Sequence, residues 1–333
     1  ILINFFFLIL SSNTSVAKNI KNSAVVFMYH KFDTSKYPST NITLEQFELH
    51  LKELSLPKYN VLSINLIVDT IINDGQLPNN TVGISVDDAD KSFFYVAWPK
   101  FKEKGFPVTL FINTSTIFKN NKNYLSWDQI RQLKKEGVTI ASHSHTHNHL
   151  PEISVAEFIE EIELSNKIFL KEIGEIPTLF AYPYGETDEK FIDVLKKYNY
   201  KVAFGQHSGA INETSNFYYL PRFSLNEKYG NISRVKFAAN IKGIGIYDFI
   251  PSNPHIVDNP PFIGFTINDK NLIDSLDCFI FDNEGQIKSE VYKFNARIEI
   301  RLKRKLTKGR SRLNCTAKDR SNNWHWFGHQ FYL

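Results

Sequence analysis

The stretch Gly137-Val-Thr-Ile140, continued by Ala141-Ser-His-Ser-His-Thr-His-Asn-His149, joins a short apolar run to four histidines on alternate residues. The Val, Thr and Ile residues predict a buried strand, and polar residues at the C-terminal end of such a strand indicate a functional site. Neutral imidazoles are the commonest metal ligands, so the tract is a candidate metal site. A His-rich surface tract that binds metal adventitiously is the alternative interpretation.

A second apolar stretch, Gly83-Ile-Ser-Val-Asp87-Asp88-Ala-Asp90, ends abruptly in carboxylates. Nitrogen and oxygen ligands at the ends of two strands suit a zinc-like ion. Two histidines separated by three residues can reach one ion from a turn just past their strand, and Asp88 would complete a three-ligand set with open positions for water and substrate. Asp87 and Asp88 can share such a site only if the strand end is kinked, because adjacent residues of an extended chain point in opposite directions.

Apolar strands and amphipathic helices alternate along most of the chain. Ala24–His30 predicts the first strand and Lys201–Phe204 the last of this series, with the β-α order repeated about seven times. Candidate site residues at the C-terminal ends of strands favour an α/β fold with a TIM-like (β/α) barrel, either complete or incomplete. The sequence contains no Gly-x-Gly-x-x-Gly loop or P-loop that would support a nucleotide-binding fold.

The pattern changes near residue 245, where a polar stretch with several prolines begins. Short alternating runs such as Ala296–Leu302 follow it and predict a small all-β, sandwich-like domain. We therefore expect a barrel domain over residues 18–245, a linker over 246–261 and a small β-rich domain over 262–333.

Size and composition fit a globular protein of one large and one small domain. The chain has 333 residues, of which 42% are hydrophobic and 22% are charged. The net charge of +4 is too weak to indicate a nucleic-acid partner. Basic residues between Arg297 and Arg312 are interpreted as the solvated side of two strands, and a patch that binds an acidic polymer is the alternative.

The first residues predict export. Ile1–Leu10 is apolar and small residues follow it, so residues 1–17 are interpreted as a signal peptide truncated at its start. We expect a periplasmic or extracellular protein with no stable transmembrane segment after cleavage, and an uncleaved membrane anchor is the alternative. Cys278 and Cys315 are the only cysteines; they could form one disulfide or remain buried thiols.

These motifs resemble the polysaccharide deacetylases of the NodB-homology type, carbohydrate esterase family 4. In that family an Asp-Asp pair ends one strand, His-(Ser/Thr)-x-x-His ends another, and an aromatic-Pro-Tyr-Gly turn follows. The corresponding residues here are Asp87-Asp88, His143-Ser-His-Thr-His147 and Tyr182-Pro183-Tyr184-Gly185. The resemblance covers roughly residues 24–225, and the Met28-Tyr29-His30 opening is similar to the branch of poly-N-acetylglucosamine deacetylases.

The resemblance implies a role for each motif. Asp87 would be the catalytic base, and Asp88, His143 and His147 would bind a divalent metal ion, zinc or alternatively cobalt or nickel. The turn would bind substrate through Tyr182, Pro183, Tyr184 and Gly185. His145 with His149 has the same spacing as His143 with His147, and only the match of Ser144 to the family pattern decides between the two pairs.

The general acid and one supporting residue are not settled by the motifs. His30, at the end of the first strand, and His207, in Phe204-Gly-Gln-His-Ser-Gly209, are both candidates for the acid that protonates the leaving amine. The family has an Arg that holds the catalytic carboxylate, where this chain has Ala181. Arg222 is a plausible substitute. The family also has Gly where Ala89 follows the Asp pair.

Our leading hypothesis is the metal-dependent hydrolysis of N-acetyl groups on an amino-sugar polysaccharide such as poly-N-acetylglucosamine. Ala181 and the additional β-rich domain motivate an alternative, a catalytically impaired carbohydrate-binding protein of the cell envelope on the same barrel. A periplasmic metal-binding protein that uses the histidine tract is a third hypothesis, and it leaves Asp87 unexplained.

Overall fold

A computed structural model describes residues 20–118 and 122–333 of the protein. The predicted signal peptide over residues 1–17 lies outside the described residues. The strands up to residue 245 are β1 (Ala24–Tyr29), β2 (Lys31–Phe32), β3 (Asn41–Ile42), β4 (Asn60–Val61), β5 (Thr81–Asp87), β6 (Thr109–Ile112), β7 (Thr139–Ser142), β8 (Leu179–Ala181), β9 (Val202–Phe204) and β10 (Phe223–Ser224). The α-helices are α1 (Leu44–Leu54), α2 (Ile64–Ile72), α3 (Trp98–Glu103), α4 (Thr114–Phe118), α5 (Trp127–Lys135), α6 (Val155–Ile173), α7 (Glu189–Lys197) and α8 (Ile232–Ala238).

The strands form a parallel half-barrel in the order β10-β1-β5-β6-β7-β8-β9, with β4 paired to β5. A parallel bridge between Phe204 and Leu220 brings the chain just before β10 against β9, so the two edges of the sheet approach each other. The long strands β1 and β5 are buried along their whole length, as expected when both faces of a parallel sheet are covered. The predicted TIM-like fold is confirmed in its incomplete form.

Local capping residues set the helix starts that the sequence predicts. Three helices begin with a capping box, in which Thr43, Ser126 and Ser154 each bond reciprocally with the residue three positions on. Pro99 lies in the first turn of α3, directly after a π-helical turn over Phe93–Ala97, and its fixed φ fits there. None of the helices in the described ranges is long and apolar enough to cross a membrane.

The C-terminal part folds into two antiparallel sheets with one shared apolar core. Their orders are β11-β12-β16-β15 and β14-β13-β17-β18. Phe265 and Ile300 of one sheet and Leu313 and Phe331 of the other belong to the same buried cluster, which gives the predicted sandwich-like arrangement. The elements are β11 (Ile246–Ile250), β12 (Ile263–Ile267), α9 (Lys270–Ile273), β13 (Asp277–Asp282), β14 (Gly285–Ile287), β15 (Ser289–Phe294), β16 (Arg297–Leu302), β17 (Arg310–Lys318) and β18 (Trp324–Tyr332).

The predicted linker differs from the structure in its first residues. Ile246–Ile250, assigned to the linker over 246–261, forms β11 and pairs antiparallel with β12. This short strand carries only a weak alternation, and the prolines that follow it dominate the sequence pattern. The domain limits otherwise stay a prediction.

Cys278 and Cys315 form a disulfide, which decides between the two alternatives that the sequence leaves open. They are directly opposite each other in the β13–β17 ladder. The bond therefore links two neighbouring strands of one sheet across a sequence separation of 37 residues.

We expect reduction of this disulfide to lower the free energy of unfolding of the C-terminal domain by about 3 to 4 kcal/mol, because opening a loop of this length restores entropy to the unfolded chain. Denaturant unfolding with and without reductant measures the effect. A double Cys278→Ala, Cys315→Ala variant is the control and should not respond to reductant. An equal response of the variant and the wild type would contradict the assignment to this bond.

Candidate metal centre

The candidate site lies at one rim of the half-barrel, where the carboxyl ends of its parallel strands meet. Asp87 ends β5, His143 follows β7 and Tyr182 follows β8. Tyr29 of β1 is in register with Val86 of β5, so His30 comes next to Asp87. Residues that are far apart in sequence thus meet because parallel strands present the same ends to the same edge.

The end of β5 has the kink that the Asp pair requires. Asp88 and Ala89 both adopt left-handed backbone conformations, with φ of 75° and 55°. Two such residues in succession turn the chain sharply, so that Asp87 and Asp88 both face the candidate site. A side chain at residue 89 is disfavoured in this conformation, which explains why a glycine suits the position.

Asp88, His143 and His147 form the metal-binding constellation found among the described residues. Their ligand atoms all lie within 4.8 Å of one another. Asp88 Oδ1 is 3.7 Å from His143 Nε2 and 3.5 Å from His147 Nε2. Ligand atoms bound tetrahedrally at zinc distances are about 3.4 Å apart, so the three groups fit one ion.

The hydrogen bonding of His143 suits a ligand. Its Nδ1 lies 2.6 Å from the carbonyl oxygen of Ala181, which can only accept, so Nδ1 carries the proton and Nε2 keeps its lone pair. His143 Nε2 and Asp88 Oδ1 are buried and have no hydrogen-bond partner in the described part of the chain. Buried polar atoms without partners are costly, and a bound cation would satisfy both.

His147 is likewise held neutral. Burial and the neighbouring His143 lower the pKa of His147 to about 4, even though Asp88 and Asp87 act in the opposite direction. A neutral imidazole is the form that binds metal. Ser144 and His147 have φ of 63° and 64°, so the chain after β7 curls and brings both histidines to one side.

The register of the histidine tract is that of the pair His143 and His147. His145 Nδ1 is hydrogen-bonded to the hydroxyl of Thr114 at 2.8 Å. His149 Nδ1 is 2.8 Å from Glu186 Oε2. The two alternate histidines therefore make structural contacts around the site.

Arg222 supplies the guanidinium that is missing at position 181. It donates to both carboxylate oxygens of Asp87, at 2.7 and 2.9 Å, and both side chains are fully buried. Its other bonds go to the carbonyl oxygen of Gly205 and the hydroxyl of Ser85. Burial alone would raise the pKa of Asp87, but the charge of Arg222, with His143 and His30, outweighs burial and lowers that pKa to about 2. Asp87 is thus an ionised carboxylate in a fixed orientation.

The two candidates for the general acid lie in different surroundings. His30 is buried and follows β1 at the position next to Asp87. His207 packs instead against Tyr219, at 4.6 Å between ring centres, and against His329 of β18. Burial lowers the pKa of His207 well below its usual value. His30 lies at the strand end that carries Asp87, whereas His207 packs against His329 of the C-terminal domain.

Three of the four residues predicted to bind substrate are buried in the structure. Tyr182 is inaccessible and donates its hydroxyl to the carbonyl oxygen of Tyr218, and Pro183 and Gly185 are also buried. Only Tyr184 of this turn is partly exposed; its φ is 58° and its ring lies 4.7 Å from the ring of His147. The turn therefore presents one side chain, because the others pack into the barrel, and its role in substrate binding stays a prediction.

Sequence reasoning missed two buried carboxylates that support the site. Glu161 of α6 accepts hydrogen bonds from the backbone N–H groups of His145 and Thr146, at 3.0 and 2.7 Å, and so fixes the histidine tract. Glu186 bonds to His149 and is almost fully buried. The position of Glu186 directly after the Tyr182–Gly185 turn was a usable signal, whereas Glu161 looks like any charged residue of a long helix.

The chain is similar in sequence to known deacetylases. Residues 74–203 match the family model described as polysaccharide deacetylase. A poly-beta-1,6-N-acetyl-D-glucosamine N-deacetylase of Staphylococcus aureus is 26% identical over 233 residues, which cover 62% of this chain and 80% of that protein. A putative polysaccharide deacetylase of Bacillus subtilis is 24% identical over 201 residues, covering 60% of this chain and 71% of its own.

Solved structures share the fold. The Streptococcus pyogenes deacetylase PplD, in complex with acetate, superposes with a TM-score of 0.60 at 18% identity and covers 65% of this chain and 97% of its own. IcaB from Ammonifex degensii superposes with a TM-score of 0.58 at 19% identity, and the match covers 66% of this chain and 97% of IcaB.

We expect Arg222→Met to lower the free energy of unfolding at neutral pH by about 3 to 5 kcal/mol, because it leaves a buried carboxylate unpaired. The pKa of Asp87 is depressed, so the ion pair stabilises the fold above the unfolded-state pKa of about 4 and is lost as the pH falls toward 2. The difference between variant and wild type should therefore shrink below pH 4. Denaturant unfolding of metal-free protein at several pH values measures it.

Arg131→Met is the matched control, since Arg131 pairs with Asp128 and Glu172 at the surface. It should change the free energy of unfolding by less than about 1 kcal/mol. A similar small change for Arg222→Met would show that the buried pair does not stabilise the fold.

Proposed function

We propose that this protein removes N-acetyl groups from an amino-sugar polymer such as poly-N-acetylglucosamine, because residues 74–203 match the polysaccharide deacetylase family model and a relative 26% identical to the chain is a poly-beta-1,6-N-acetyl-D-glucosamine N-deacetylase. The observation that carries the proposal is the convergence of Asp88, His143 and His147 beside the ionised pair of Asp87 and Arg222. These groups provide ligands for one cation and a separate carboxylate at the same strand end.

Asp88, His143 and His147 would hold a divalent metal ion, zinc or alternatively cobalt or nickel. When bound, such an ion supplies Lewis acidity, which polarises an amide carbonyl and lowers the pKa of water. The ligand set is one carboxylate and two imidazoles, and it leaves coordination positions for water and substrate. Asp88 and His147 are partly exposed, so the site is open on the side where substrate would enter.

Asp87 is the proposed general base. Its carboxylate is 4.0 Å from His143 Nε2, so it lies next to the ligands. Arg222 keeps it ionised and holds both of its oxygens in place. Asp87 accepts a proton from the attacking water.

His30 is the proposed general acid, since an amide nitrogen leaves poorly as an anion and must be protonated. Its place at the strand end that carries Asp87 supports this role. The surroundings of His207, which packs against Tyr219 and His329, make His207 the less favoured candidate.

The proposed location is outside the cytoplasm, in the periplasm or the extracellular space. The disulfide between Cys278 and Cys315 supports this proposal, because such bonds form and persist in oxidising compartments. The predicted signal peptide over residues 1–17 agrees with it. A linked amino-sugar polymer of the cell envelope is the substrate class that such a location offers.

Arg222 removes one reason for the alternative of an impaired carbohydrate-binding protein. That alternative was motivated by Ala181, which cannot hold the catalytic carboxylate. Arg222 holds it instead, and the carbonyl oxygen of Ala181 accepts from His143. The active-enzyme proposal is therefore preferred.

We expect Asp88→Ala and His147→Ala to lose both bound metal and acetate release, by about a hundredfold or more, because each removes a ligand. Asp87→Asn should retain the metal and lose about a hundredfold to ten-thousandfold in rate, because it removes only the base. Acetate release from β-1,6- and β-1,4-linked N-acetylglucosamine oligomers and metal content on the same samples measure both effects. His145→Gln, a change in the same tract, is the control and should keep metal and activity. Wild-type protein that holds one zinc, cobalt or nickel ion and deacetylates none of these oligomers would contradict the proposal.

We expect His30→Gln to slow acetate release from the oligomers about a hundredfold or more, since the leaving amine must be protonated. The same variant should hydrolyse an aryl acetate almost as fast as the wild type, because a phenolate leaves without a proton. His207→Gln is the matched control. It should change the rate on either substrate by less than His30→Gln changes the rate on the oligomers. A loss on both substrates with His30→Gln would assign His30 a structural role.

A further inference from the structure

Tyr184 is the exposed side chain of the turn beside the candidate ligands, and its conformation is strained. Its φ of 58° is one that a tyrosine rarely adopts, and its ring lies edge-on to the ring of His147 at 4.7 Å. A strained residue next to a site keeps its conformation only when its surroundings hold it there. Several of the contacts that hold Tyr184 and its turn come from the C-terminal domain.

The backbone of the turn is held by Gln330 of β18. Gln330 is buried, and its side-chain Nε2 donates to the carbonyl oxygens of Tyr184 and Gly185, at 3.2 and 2.9 Å. The hydroxyl of Tyr219 lies 2.8 Å from the carbonyl oxygen of Gly185 and 3.1 Å from that of Gln330. Consecutive carbonyl groups of the turn therefore bind a side chain that is 145 or more residues further along the chain.

The ring of Tyr184 is held by a second set of contacts. It stacks on His149 with ring centres 3.8 Å apart and planes 2° from parallel. His149 is fixed by the buried carboxylate of Glu186, and Arg310 of β17 pairs with the other oxygen of that carboxylate at 3.5 Å. The guanidinium of Arg310 also lies 5.9 Å from the centre of the Tyr184 ring. A buried carboxylate needs a positive partner, and Arg310 supplies one.

The strand that carries Gln330 is seated directly on the barrel. A Cβ atom at Gly328 would lie only 1.8 Å from the carbonyl oxygen of Ser208, so nothing larger than glycine fits between β18 and the barrel. The backbone N–H of Ala210 donates to the carbonyl oxygen of Trp326 in the same strand. This close approach gives β18 a fixed position from which Gln330 can hold the turn.

We infer that Gln330 and Arg310, both from the C-terminal domain, are positioning residues that fix Tyr184 beside the metal centre for the proposed deacetylation. The C-terminal domain is thus a part of the active site's support, in addition to any binding role it has of its own. The kinetic part of this inference rests on the proposed function, and the structural part does not.

The first experiment measures whether Gln330 holds the turn. Gln330→Met keeps the length of the side chain and removes its two hydrogen bonds; Gln330 Oε1 has no partner among the described residues, so little else is lost. We expect the amides of Gly185 and Glu186 to exchange hydrogen about tenfold faster in the full-length variant. Asn259→Leu is the matched control: it removes a side-chain amide that makes two backbone bonds to Leu306 within the C-terminal region. It should leave the exchange of the turn unchanged.

The second experiment measures coupling to Tyr184 during catalysis. Gln330→Met and Arg310→Met should each lower kcat/KM for N-acetylglucosamine oligomers about tenfold, with metal content unchanged. In a Tyr184→Gly background, where glycine accepts the left-handed conformation, the same substitutions should change kcat/KM by less than about twofold. Arg310→Lys should recover part of the loss. Arg304→Met, which breaks an ion pair with Asp282 inside the C-terminal domain, is the control for Arg310.

The outcomes distinguish a failure of the positioning inference from a failure of the proposed function. Unchanged exchange of the turn in Gln330→Met overturns the inference whether or not the protein is an active deacetylase. Equal losses of kcat/KM in the wild-type and Tyr184→Gly backgrounds overturn it as well, because they show a general structural effect. Wild-type protein that deacetylates no oligomer contradicts the proposed function, and the exchange measurement then still decides whether the C-terminal domain holds Tyr184.

Discussion

The ion pair between Asp87 and Arg222 is the constraint on which the candidate site depends. Both side chains are fully buried, and their positions in the sequence are 135 residues apart. Two charges in a low-dielectric interior are tolerated only when their geometry is good and their remaining hydrogen-bonding groups are satisfied. Arg222 meets this condition through Gly205 and Ser85, and its guanidinium lies near the rings of Phe111 and Phe204. The pair therefore ties the segment before β10 to the end of β5 and fixes the orientation of the carboxylate proposed as the base.

Backbone strain is concentrated around the same centre. Asp88, Ala89, Ser144, His147 and Tyr184 all have positive φ. Each left-handed conformation of a residue other than glycine costs about 1 to 2 kcal/mol, so the rest of the fold must offset several such costs. The buried strands of the half-barrel and the carboxylate of Glu161 provide this support. The result is that side chains on consecutive or alternate residues, which an extended chain would separate, point into one site.

The C-terminal domain is joined to the barrel by more than a linker. β11 begins within the predicted linker, and β18 lies against the barrel at Gly328 without room for a side chain. Polar contacts cross the same boundary, including those of His255 with Asp188 and of Gln330 with the Tyr184 turn. Domains joined in this way are expected to move little relative to each other, because a close backbone approach leaves no layer of water between them. The disulfide lies in the same sheet as β18 and so stabilises a domain that also supports the site.

Much of this protein was predictable from its sequence, because the relevant signals are local. Helices α5 and α6 follow from capping residues and apolar spacing, and the ends of β5 and β7 follow from apolar runs that stop at Asp87 and His143. The candidate ligands Asp88, His143 and His147 were indicated by residue type and spacing together with the match of Ser144 to the family pattern. The tertiary structure alone decided which guanidinium holds Asp87, which histidine lies at the strand end that carries Asp87, and that Tyr182 is buried while Tyr184 is exposed. It also brought Gln330 and Arg310 to the Tyr184 turn. These are contacts between segments far apart in the chain. Sequence patterns report only the periodicity and chemistry of neighbouring residues. Long-range contacts depend instead on how the strands of the barrel and the sandwich pack together.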